Sequence, residues 1–262
     1  MTKRSVAGAR VIVTGASSGI GRALAQELAR AGAELLLIAR RQQKLSELSE
    51  AIVSEGATSP ILVAGDVTDP AIRQAAIRQA RETFGGLDIL VNNAGIGALG
   101  RFEDARAENL RRIMEVNFFA TAEMIREALP LLKQGRKPLI VNVGSILGHR
   151  AVPWSSEYCA SKFAVAGLSE SLRAEFSRLG VDVLVVSPGT TDTDFDAHRI
   201  QKQADAPWPK QRGVSAESVA RATLRAIRRG RHEIIPNHRG RLLCWLNRFS
   251  PRLMDRLMAR YA

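Results

Sequence analysis

The sequence predicts an α/β protein built on one doubly wound, mostly parallel sheet of about seven strands. Three observations support this prediction. Short apolar runs alternate with segments of helical periodicity, the first run leads into a glycine-rich turn, and no repeat or linker divides the 262 residues. Strands that alternate with helices form βαβ units, whose crossovers cover both faces of a sheet. A chain of this length suffices for one such domain with a buried core.

The predicted strands are short runs rich in Val, Ile and Leu. Several lack polar alternation, as expected for parallel strands that are buried on both faces. In chain order the runs are 10–15, 33–39, 59–66, 87–95, 138–145, 180–189 and 231–236.

Segments of helical periodicity join these runs. Segments 21–32 and 43–56 each end at a glycine, which is typical of a helix C-terminus. Asp69 and Pro70 suit the N-cap and the first turn of the next helix. A long helix is predicted from about Ala105 to Leu129, with Pro130 disturbing its end. The other predicted helices are 69–86, 156–179 and 216–229.

The predicted domain covers residues 1–236, and residues 237–262 form a basic amphipathic tail. Ser250 and Pro251 suit the start of a helix in this tail. Such a helix can lie in a membrane interface or pack on its own domain, on a partner subunit or across the substrate mouth. Its apolar face consists of Leu253, Met254, Leu257, Met258 and Tyr261, and its basic face of Arg252, Arg256 and Arg260.

The net charge of +12 is concentrated at the C-terminus, where the segment 228–262 carries nine arginines against two acidic residues. This distribution and the absence of a nucleic-acid reading motif disfavour a nucleic-acid-binding protein. The two cysteines and four histidines show no ligand spacing, so no metal site is predicted. No apolar stretch reaches the 18–20 or so residues of a membrane span. The expected location is cytoplasmic, with peripheral membrane association left open for the tail.

A glycine-rich stretch, TGASSGIG at 14–21, joins the first strand to the first helix. Its glycines allow a tight turn and close approach to a pyrophosphate, and the helix directs its free N–H groups at the same place. The spacing differs from the best-known dinucleotide fingerprint, so an ordinary glycine-rich turn is the alternative. The strand–turn–helix context favours a dinucleotide site.

The second strand ends in LLIARRQQ, with Ala39 where an acidic residue would bind the ribose of NAD. Arg40 and Arg41 follow it, and a guanidinium binds the 2′-phosphate of NADP with charge-assisted hydrogen bonds. The pattern predicts NADP(H) in preference to NAD(H). Two solvated arginines in a loop are the alternative.

The stretch YCASK at 158–162 places a tyrosine and a lysine four positions apart. On a helix both side chains share one face, and a cation near a phenol favours the phenolate and lowers its pKa. The Tyr158 hydroxyl then exchanges a proton with a substrate oxygen. Taken alone, such a pair is more often a packed tyrosine and a solvated lysine, because short patterns of this kind arise by chance.

Together these motifs resemble the short-chain dehydrogenase/reductase family, in its short single-domain form with a Rossmann-type fold, over roughly residues 6–235. The motifs are TGASSGIG, DV at 66–67, NNAG at 92–95, VNFF at 116–119, VGS at 143–145, YCASK and PGTTDT at 188–193. The ordered set is far more specific than any member. Gly144 stands where the family often has a second serine, and neither this nor Thr190 removes a reacting group.

The resemblance implies catalytic roles for four residues. Tyr158 donates and accepts the proton, Ser145 binds the substrate oxygen, and Lys162 holds the nicotinamide ribose and lowers the Tyr158 pKa. Asn117 supports a water-linked proton path through Lys162. The implied cofactor contacts are Gly15, Ser17, Ser18, Gly19, Ile20 and Gly21 at the pyrophosphate, Asp66, Val67, Asn93, Ala94 and Gly95 at the adenosine, and Pro188, Gly189, Thr191 and Thr193 at the nicotinamide. The family also implies dimers or tetramers formed through the two long helices.

The segment 190–213 lies between the sixth strand and the next helix, and its length and polarity favour a lid over the substrate, with a plain surface loop as the alternative. Phe195 and Trp208 within it are the predicted closing residues. The function predicted is an NADP(H)-dependent carbonyl reductase or alcohol dehydrogenase with a lipophilic substrate. A cofactor-sensing binding protein on the same fold is the alternative, but such a protein would be expected to lose Tyr158 or Lys162.

Overall fold

A computed structural model describes residues 2–195, 199–202 and 213–261. It contains a seven-stranded sheet in the order β3-β2-β1-β4-β5-β6-β7, with parallel pairing at each neighbouring pair. The strands are β1 (Arg10–Thr14), β2 (Glu34–Ala39), β3 (Ile61–Ala64), β4 (Ile89–Asn92), β5 (Leu139–Val143), β6 (Asp182–Val186) and β7 (Glu233–Ile234). The order reverses between β1 and β4, and the open edge at this point is where ligands of such sheets bind.

Helices connect the strands and cover both faces of the sheet. They are α1 (Gly19–Arg30), α2 (Gln42–Ser54), α3 (Pro70–Phe84), α4 (Ala107–Met114), α5 (Ala120–Leu132), α6 (Ser156–Glu175), α7 (Ala216–Arg229), α8 (His238–Phe249) and α9 (Pro251–Met258). Asp69 caps α3 as predicted, since its carboxylate accepts a hydrogen bond from the Ala71 N–H at 2.8 Å and Pro70 occupies the first turn.

The core lies in two layers, one on each face. Val11 and Val13 of β1 pack with α1, α2 and α7, whereas Ile12 packs with α3 and α5 on the other face. This alternation follows from the two-residue period of a strand. Because both faces are covered, the central strands consist mainly of Val, Ile and Leu, which is why the sequence predicted them well.

The long helix predicted from Ala105 to Leu129 consists of α4, a π-helical segment at Glu115–Phe119, and α5. The π segment is one widened turn, and the Thr121 hydroxyl donates a hydrogen bond to the Asn117 carbonyl there at 3.0 Å. Pro130 lies inside α5 and does not end it, because the helix continues for two residues beyond.

The segment that was predicted as a lid begins and ends in short parallel pairings. Thr191–Asp192 pairs with Val214–Ser215, and Gln201–Lys202 pairs with Ala98–Leu99. Trp208, one of its predicted closing residues, lies outside the described residues. The ends of the segment are therefore held beside the carboxyl edge of the sheet.

The C-terminal tail is helical, as predicted, and forms α8 and α9. Arg150 fixes both helices, because its guanidinium binds the Asn247 amide oxygen at 3.1 Å and the Asp255 carboxylate at 2.8 Å. The face predicted to be apolar is divided: Met254 is buried, but Leu253 and Leu257 are exposed. No helix among residues 2–195, 199–202 and 213–261 is long and apolar enough to cross a membrane.

Candidate active site

A cleft of about 400 Å³ runs along the carboxyl edge of the sheet. It brings together residues that are far apart in the sequence, because parallel strands all end at this edge. The predicted residues that line it are Gly15, Ser17, Ser18, Gly19, Ile20, Arg40, Arg41, Asp66, Val67, Asn93, Ala94, Gly95, Ser145, Tyr158, Lys162, Pro188, Gly189, Thr191, Thr193 and Phe195.

The glycine-rich turn forms one wall of the cleft. Gly15 has a φ of 66°, and a Cβ there would come within 2.8 Å of the Ala94 Cα. The N-cap residue of α1 is Ser18, whose side chain accepts no hydrogen bond from the first turn of the helix. The helix therefore presents free N–H groups and the positive end of its dipole to the cleft, as an anion site requires.

Gly21 does not line the cleft, unlike the rest of the predicted pyrophosphate set. A Cβ on Gly21 would collide with the Gly15 carbonyl and the Asn93 amide. The Asn93 amide nitrogen in turn donates hydrogen bonds to the carbonyls of Thr14 and Gly15, both at 3.1 Å. Gly21 thus permits α1 to pack closely against the turn, and its contribution to the site is indirect.

Thr14 connects the ends of β1 and β4 beneath the cleft. Its hydroxyl oxygen accepts hydrogen bonds from the N–H groups of Asn93 at 3.0 Å and Ala94 at 3.1 Å. These contacts fix the two strand ends between which a dinucleotide lies in such folds. The sequence analysis did not select Thr14, although it is the first residue of the glycine motif.

The adenosine end of the cleft carries exposed charges. Arg40 is exposed, whereas Arg41 is half-buried and its guanidinium donates to the Ser17 hydroxyl at 3.2 Å. Ala39, where an acidic residue would repel a phosphate, is buried. The arrangement leaves basic groups beside the glycine-rich turn.

Asp66 occupies the next strand end. Burial alone would raise its pKa, but hydrogen bonds from the Thr68 N–H and hydroxyl, together with the Arg112 guanidinium at 2.7 Å, hold the pKa below its usual value. The carboxylate is therefore ionised and fixed as a hydrogen-bond acceptor at this end of the cleft.

Lys162 is buried at the other end of the cleft. Its ammonium donates to the Val143 carbonyl at 2.9 Å, and burial lowers its pKa to about 8. An ammonium has three donors, and a buried cation is costly unless its donors find acceptors. The hydroxyls of a ribose are acceptors that suit the remaining donors.

Asn117 lies behind Lys162, in the π segment, and does not line the cleft. Its amide oxygen accepts from the Ile96 N–H at 2.8 Å, and its amide nitrogen donates to the Ile96 carbonyl at 3.0 Å and to the Ser161 hydroxyl at 2.9 Å. The side chain thus joins the chain after β4 to helix α6, so it holds the parts of the site together.

Ser161 is part of the site, and the sequence analysis did not select it. It is fully buried between Tyr158 and Asn117, and its hydroxyl donates to the Tyr158 carbonyl at 2.7 Å. The residue stood in the quoted stretch YCASK, but a serine there gives no signal that separates it from a small helix residue. Its placement fixes the backbone that carries Tyr158.

We refer to the end of the cleft that holds Lys162 as the catalytic end. Tyr158 and Phe195 lie together at this end. The two rings lie 5.7 Å apart between centroids, and the Lys162 ammonium lies 5.7 Å from the centre of the Tyr158 ring. Phe195 also covers Gly97, where a Cβ would meet the ring at 2.8 Å. The predicted tyrosine, lysine and phenylalanine therefore lie together.

Ser145 follows β5 and begins the short turn at Ile146–Gly148. Its hydroxyl oxygen accepts from the Leu147 N–H at 3.1 Å, which leaves the hydroxyl proton for a ligand in the cleft. The Ile146 N–H donates to the Pro188 carbonyl at 2.9 Å. The serine turn and the loop after β6 are thereby held against each other.

A polar cluster lies beneath this junction. The His149 ring nitrogen Nε2 lies 3.0 Å from the Ser187 hydroxyl and 2.8 Å from the Glu233 carboxylate. The hydrogen bond to His149 holds the Glu233 pKa below its usual range. The cluster links the serine turn to β6 and β7, and nothing in the sequence pattern singled it out.

These features fit a nicotinamide dinucleotide. A glycine-rich turn faces the phosphate position, a fixed carboxylate lies at the adenine position, and a buried ammonium with spare donors lies at the ribose position. Within the part of the chain that the structure describes, no group of His, Cys, Asp and Glu side chains has the arrangement of a metal site. Hydride chemistry with a protein proton donor is what this arrangement supports.

Comparison with known proteins identifies the family. The family model described as short chain dehydrogenase matches residues 9–204. The chain is also 31% identical over 266 residues to a mouse protein, dehydrogenase/reductase SDR family member 7B, and the match covers 98% of this chain and 82% of the mouse protein.

Solved structures agree with the sequence matches. A short-chain dehydrogenase/reductase from Burkholderia phymatum in complex with NAD superposes with a TM-score of 0.85 at 28% identity, over 96% of each chain. An alcohol dehydrogenase from the archaeon Thermococcus sibiricus, complexed with 5-hydroxy-NADP, gives a TM-score of 0.76 at 26% identity, over 87% of this chain and 95% of that one. The chain therefore belongs to the short-chain dehydrogenase/reductase family of NAD(P)-dependent oxidoreductases that act on CH–OH groups.

Proposed function

We propose that the enzyme interconverts a carbonyl group and an alcohol on a lipophilic small molecule, prefers NADP(H) to NAD(H), and uses Tyr158 as its general acid and base. The observation that carries the proposal is the buried Lys162 ammonium, which lies 5.7 Å from the Tyr158 ring at one end of the dinucleotide-shaped cleft. A buried cation beside a phenol stabilises the phenolate, which the proton transfer requires.

The protein's part in the reaction is to position groups and to move one proton. When bound, the nicotinamide supplies or accepts the hydride. The hydroxyls of Ser145 and Tyr158 donate hydrogen bonds to the substrate oxygen as it gains negative charge, and Tyr158 delivers its proton there. Lys162 binds the nicotinamide ribose. In alcohol oxidation the same proton returns to the Tyr158 oxygen.

Asn117 acts as a positioning residue in this proposal. Its three hydrogen bonds join the segment after β4 to α6, which carries both Tyr158 and Lys162. A water-linked proton path through Lys162 requires these elements to keep their spacing, so Asn117 supports it without touching the substrate.

The preference for NADP(H) rests on this chain's own residues, since the similar structures contain NAD in one case and an NADP derivative in the other. Arg40 is exposed beside Ala39, and Arg41 is held near the glycine-rich turn by Ser17. Two guanidinium groups attract a 2′-phosphate, and Ala39 beside them provides no carboxylate that would repel it.

The substrate class is inferred from the catalytic end of the cleft. Ile96, Ile146, Leu147 and Phe195 line it beside Tyr158, and apolar walls favour an apolar substrate body. The segment that contains Phe195 is proposed as a lid, with Trp208 as a second closing residue. Water exclusion under such a lid strengthens the hydrogen bonds to the reacting oxygen.

The enzyme is proposed to work as a cytoplasmic homodimer or homotetramer, with residues 1–236 as the catalytic domain and 237–262 as an appended tail. Phe119 and Phe163 support an interface on the two long helices, because both rings are roughly half exposed there. A charged residue at this place, as in Phe163→Glu, is expected to produce monomers in light scattering.

Two measurements on the purified protein test the function. NADPH and NADH fluorescence titrations are expected to give a Kd for NADPH that is at least about tenfold lower than the Kd for NADH, since one charge-assisted pair contributes about 1.5–3 kcal/mol.

The second measurement is an activity assay, in which a panel of ketones and aldehydes is tested with the Tyr158→Phe variant and with the parent. This variant is expected to lose about 10³-fold in kcat, within the usual range for general acid–base groups, and to keep its Kd for NADPH.

The outcomes separate the parts of the proposal. Equal affinity for NADH contradicts the role of the arginines, and full turnover by Tyr158→Phe contradicts the role of the tyrosine. Tight NADPH binding without turnover on any carbonyl would instead favour a cofactor-sensing protein on the same fold.

A further inference from the structure

Helix α8 has an apolar face that points away from the domain. Leu242, Trp245, Leu246 and Phe249 recur at helical spacing, and all four are exposed; Trp245 is 57% and Phe249 69% exposed. The opposite face makes the contacts with the domain, through Gly240, Leu243, Cys244 and Asn247, which are buried or half-buried. An amphipathic helix of a monomeric domain is expected to show the reverse orientation.

Helix α9 follows directly after α8 and adds two more exposed apolar residues, Leu253 and Leu257. The Trp245 and Phe249 rings lie 4.7 Å apart between centroids. We call these six residues the tail face. A contiguous exposed apolar surface of this kind marks an interaction site.

Arginines surround the tail face. Six exposed arginines lie in the two helices and the turn after α9, at positions 239, 241, 248, 252, 256 and 260. Asp255, the single acidic residue in the sequence from 237 onward, is paired with Arg150 at 2.8 Å. The rim of the tail face is therefore strongly positive.

This combination favours one occupant over the others. Two copies of the chain joined by their tail faces would place arginines against arginines, which destabilises a symmetric interface. An anionic bilayer offers an apolar interior for Trp245 and Phe249 and negative headgroups for the rim, as interfacial helices require. We infer that the tail face docks on the surface of a membrane that contains anionic lipids.

The first turn of α8, on the side opposite the tail face, lies next to the catalytic end of the cleft. A Cβ on Gly240, in the first turn of α8, would meet Ile146, and the Asn237 amide lies against Gly189. Ile146 and Gly189 both line the cleft. Docking through the tail face thus leaves only the width of α8 between the bilayer surface and these cleft residues, which suits a substrate that partitions into lipid.

The test is co-sedimentation of the full chain with vesicles of phosphatidylcholine alone and of phosphatidylcholine with 30 mol% phosphatidylglycerol, a composition of roughly the surface charge that attracts basic segments. The parent is expected to bind the anionic vesicles and to be released at high salt. The double variant Trp245→Ser/Phe249→Ser is expected to bind at least about tenfold more weakly, because two aromatic rings no longer enter the apolar interior of the bilayer. Val53→Ser/Leu179→Ser, which alters two exposed apolar residues elsewhere, is the matched control and is expected to bind as the parent does.

Two double variants that each remove a pair of arginines test the role of the positive rim in the same assay. Arg248→Gln/Arg252→Gln is expected to weaken binding to anionic vesicles by about tenfold or more, at about 1 kcal/mol per arginine, with no effect from Arg78→Gln/Arg81→Gln on α3. The inference is overturned if the parent does not bind anionic vesicles at low salt, or if tail and control variants bind equally. It is also overturned if the Trp245→Ser/Phe249→Ser variant dissociates an oligomer in light scattering, since the occupant is then a second copy.

Discussion

The two ends of the cleft are built in opposite ways. At the catalytic end, Lys162, Asn117 and Ser161 are buried; Asn117 donates a hydrogen bond to Ser161, and Lys162 donates one to the Val143 carbonyl. At the adenosine end, Arg40 is exposed and Asp66 is only partly buried. Changes at the first end therefore affect stability and chemistry together, whereas changes at the second end affect ligand choice alone.

Lys162 illustrates the conflict between stability and function at the catalytic end. Burial lowers its pKa from 10.5 to about 8, and below pH 8 the folded state still holds the charged form at a cost of about 3 kcal/mol. Between pH 8 and 10.5 the folded state binds fewer protons than the unfolded state, so stability rises with pH there. The ribose site proposed for Lys162 explains why a cation is buried here, because packing in the core would not require a charged residue.

The largest effect is predicted for Lys162→Met. Activity should fall by about 10³-fold, since the ribose contact and the cation beside Tyr158 are both lost. The cofactor-free protein should nonetheless become more stable at pH 7 by roughly 1–2 kcal/mol, because the charge penalty is removed while the Val143 carbonyl loses its partner. Urea unfolding without cofactor and steady-state assays measure the two effects.

The pH dependence distinguishes this explanation from general repacking. The stability difference between Lys162→Met and the parent should be largest below pH 8 and should shrink as the pH rises toward 10.5. Lys133→Met, at an exposed lysine, is the control and should show no such trend. A difference that does not change with pH contradicts the buried-cation account.

Asn117→Ala should give the next largest effect, a loss of about 3 kcal/mol in the free energy of unfolding. Three buried hydrogen bonds of about 1 kcal/mol each are removed, and the Ile96 backbone is left without partners. Asn109→Ala, on α4, removes one partly buried bond to Gln201 and should cost about 1 kcal/mol. Equal losses in thermal or urea unfolding would contradict the joining role of Asn117.

Gly21→Ala tests whether α1 has to pack closely against the glycine-rich turn. Its Cβ would collide with the Gly15 carbonyl, so overpacking of about 1–3 kcal/mol is expected, with weaker NADPH binding as a consequence. Gly144→Ala is the control in the same cleft, because a Cβ there meets Val185 at an ordinary 3.4 Å. If both variants unfold at the parent's midpoint, the close approach of α1 to the turn is not required.

Much of the fold and site could be predicted from the sequence because the signals were local. Buried parallel strands appear as continuous apolar runs, and the glycine turn and YCASK each place their groups by spacing within one element. Asp69 and Pro70 predicted the start of α3 for the same reason. The adjacency of the motifs in space then follows from the topology of a doubly wound sheet.

The remaining features depend on contacts between elements. The π segment at Glu115–Phe119 has an apolar pattern that suits an ordinary helix, and the widened turn appears only with the Asn117 contacts around it. Periodicity correctly gave an amphipathic tail but could not tell which face of α8 packs. The orientation is set by Arg150 and Asn247, whose partners are about 100 positions apart in the chain.

The smallest effect is predicted at the adenosine end, for Arg40→Ala. The Kd for NADPH should rise by about tenfold, whereas the Kd for NADH and the unfolding midpoint should not change, because we propose that the exposed guanidinium contacts only the 2′-phosphate. Lys44→Ala, which removes an exposed cation paired with Glu47 on the first turns of α2, is the control for a general loss of positive charge. Fluorescence titrations at two salt concentrations separate the contributions, since salt screens a distant charge more strongly than a charge in contact with the phosphate. A parallel loss of NADH affinity would show that Arg40 supports the turn itself, and the contrast between the two ends of the cleft would then be smaller than their burial suggests.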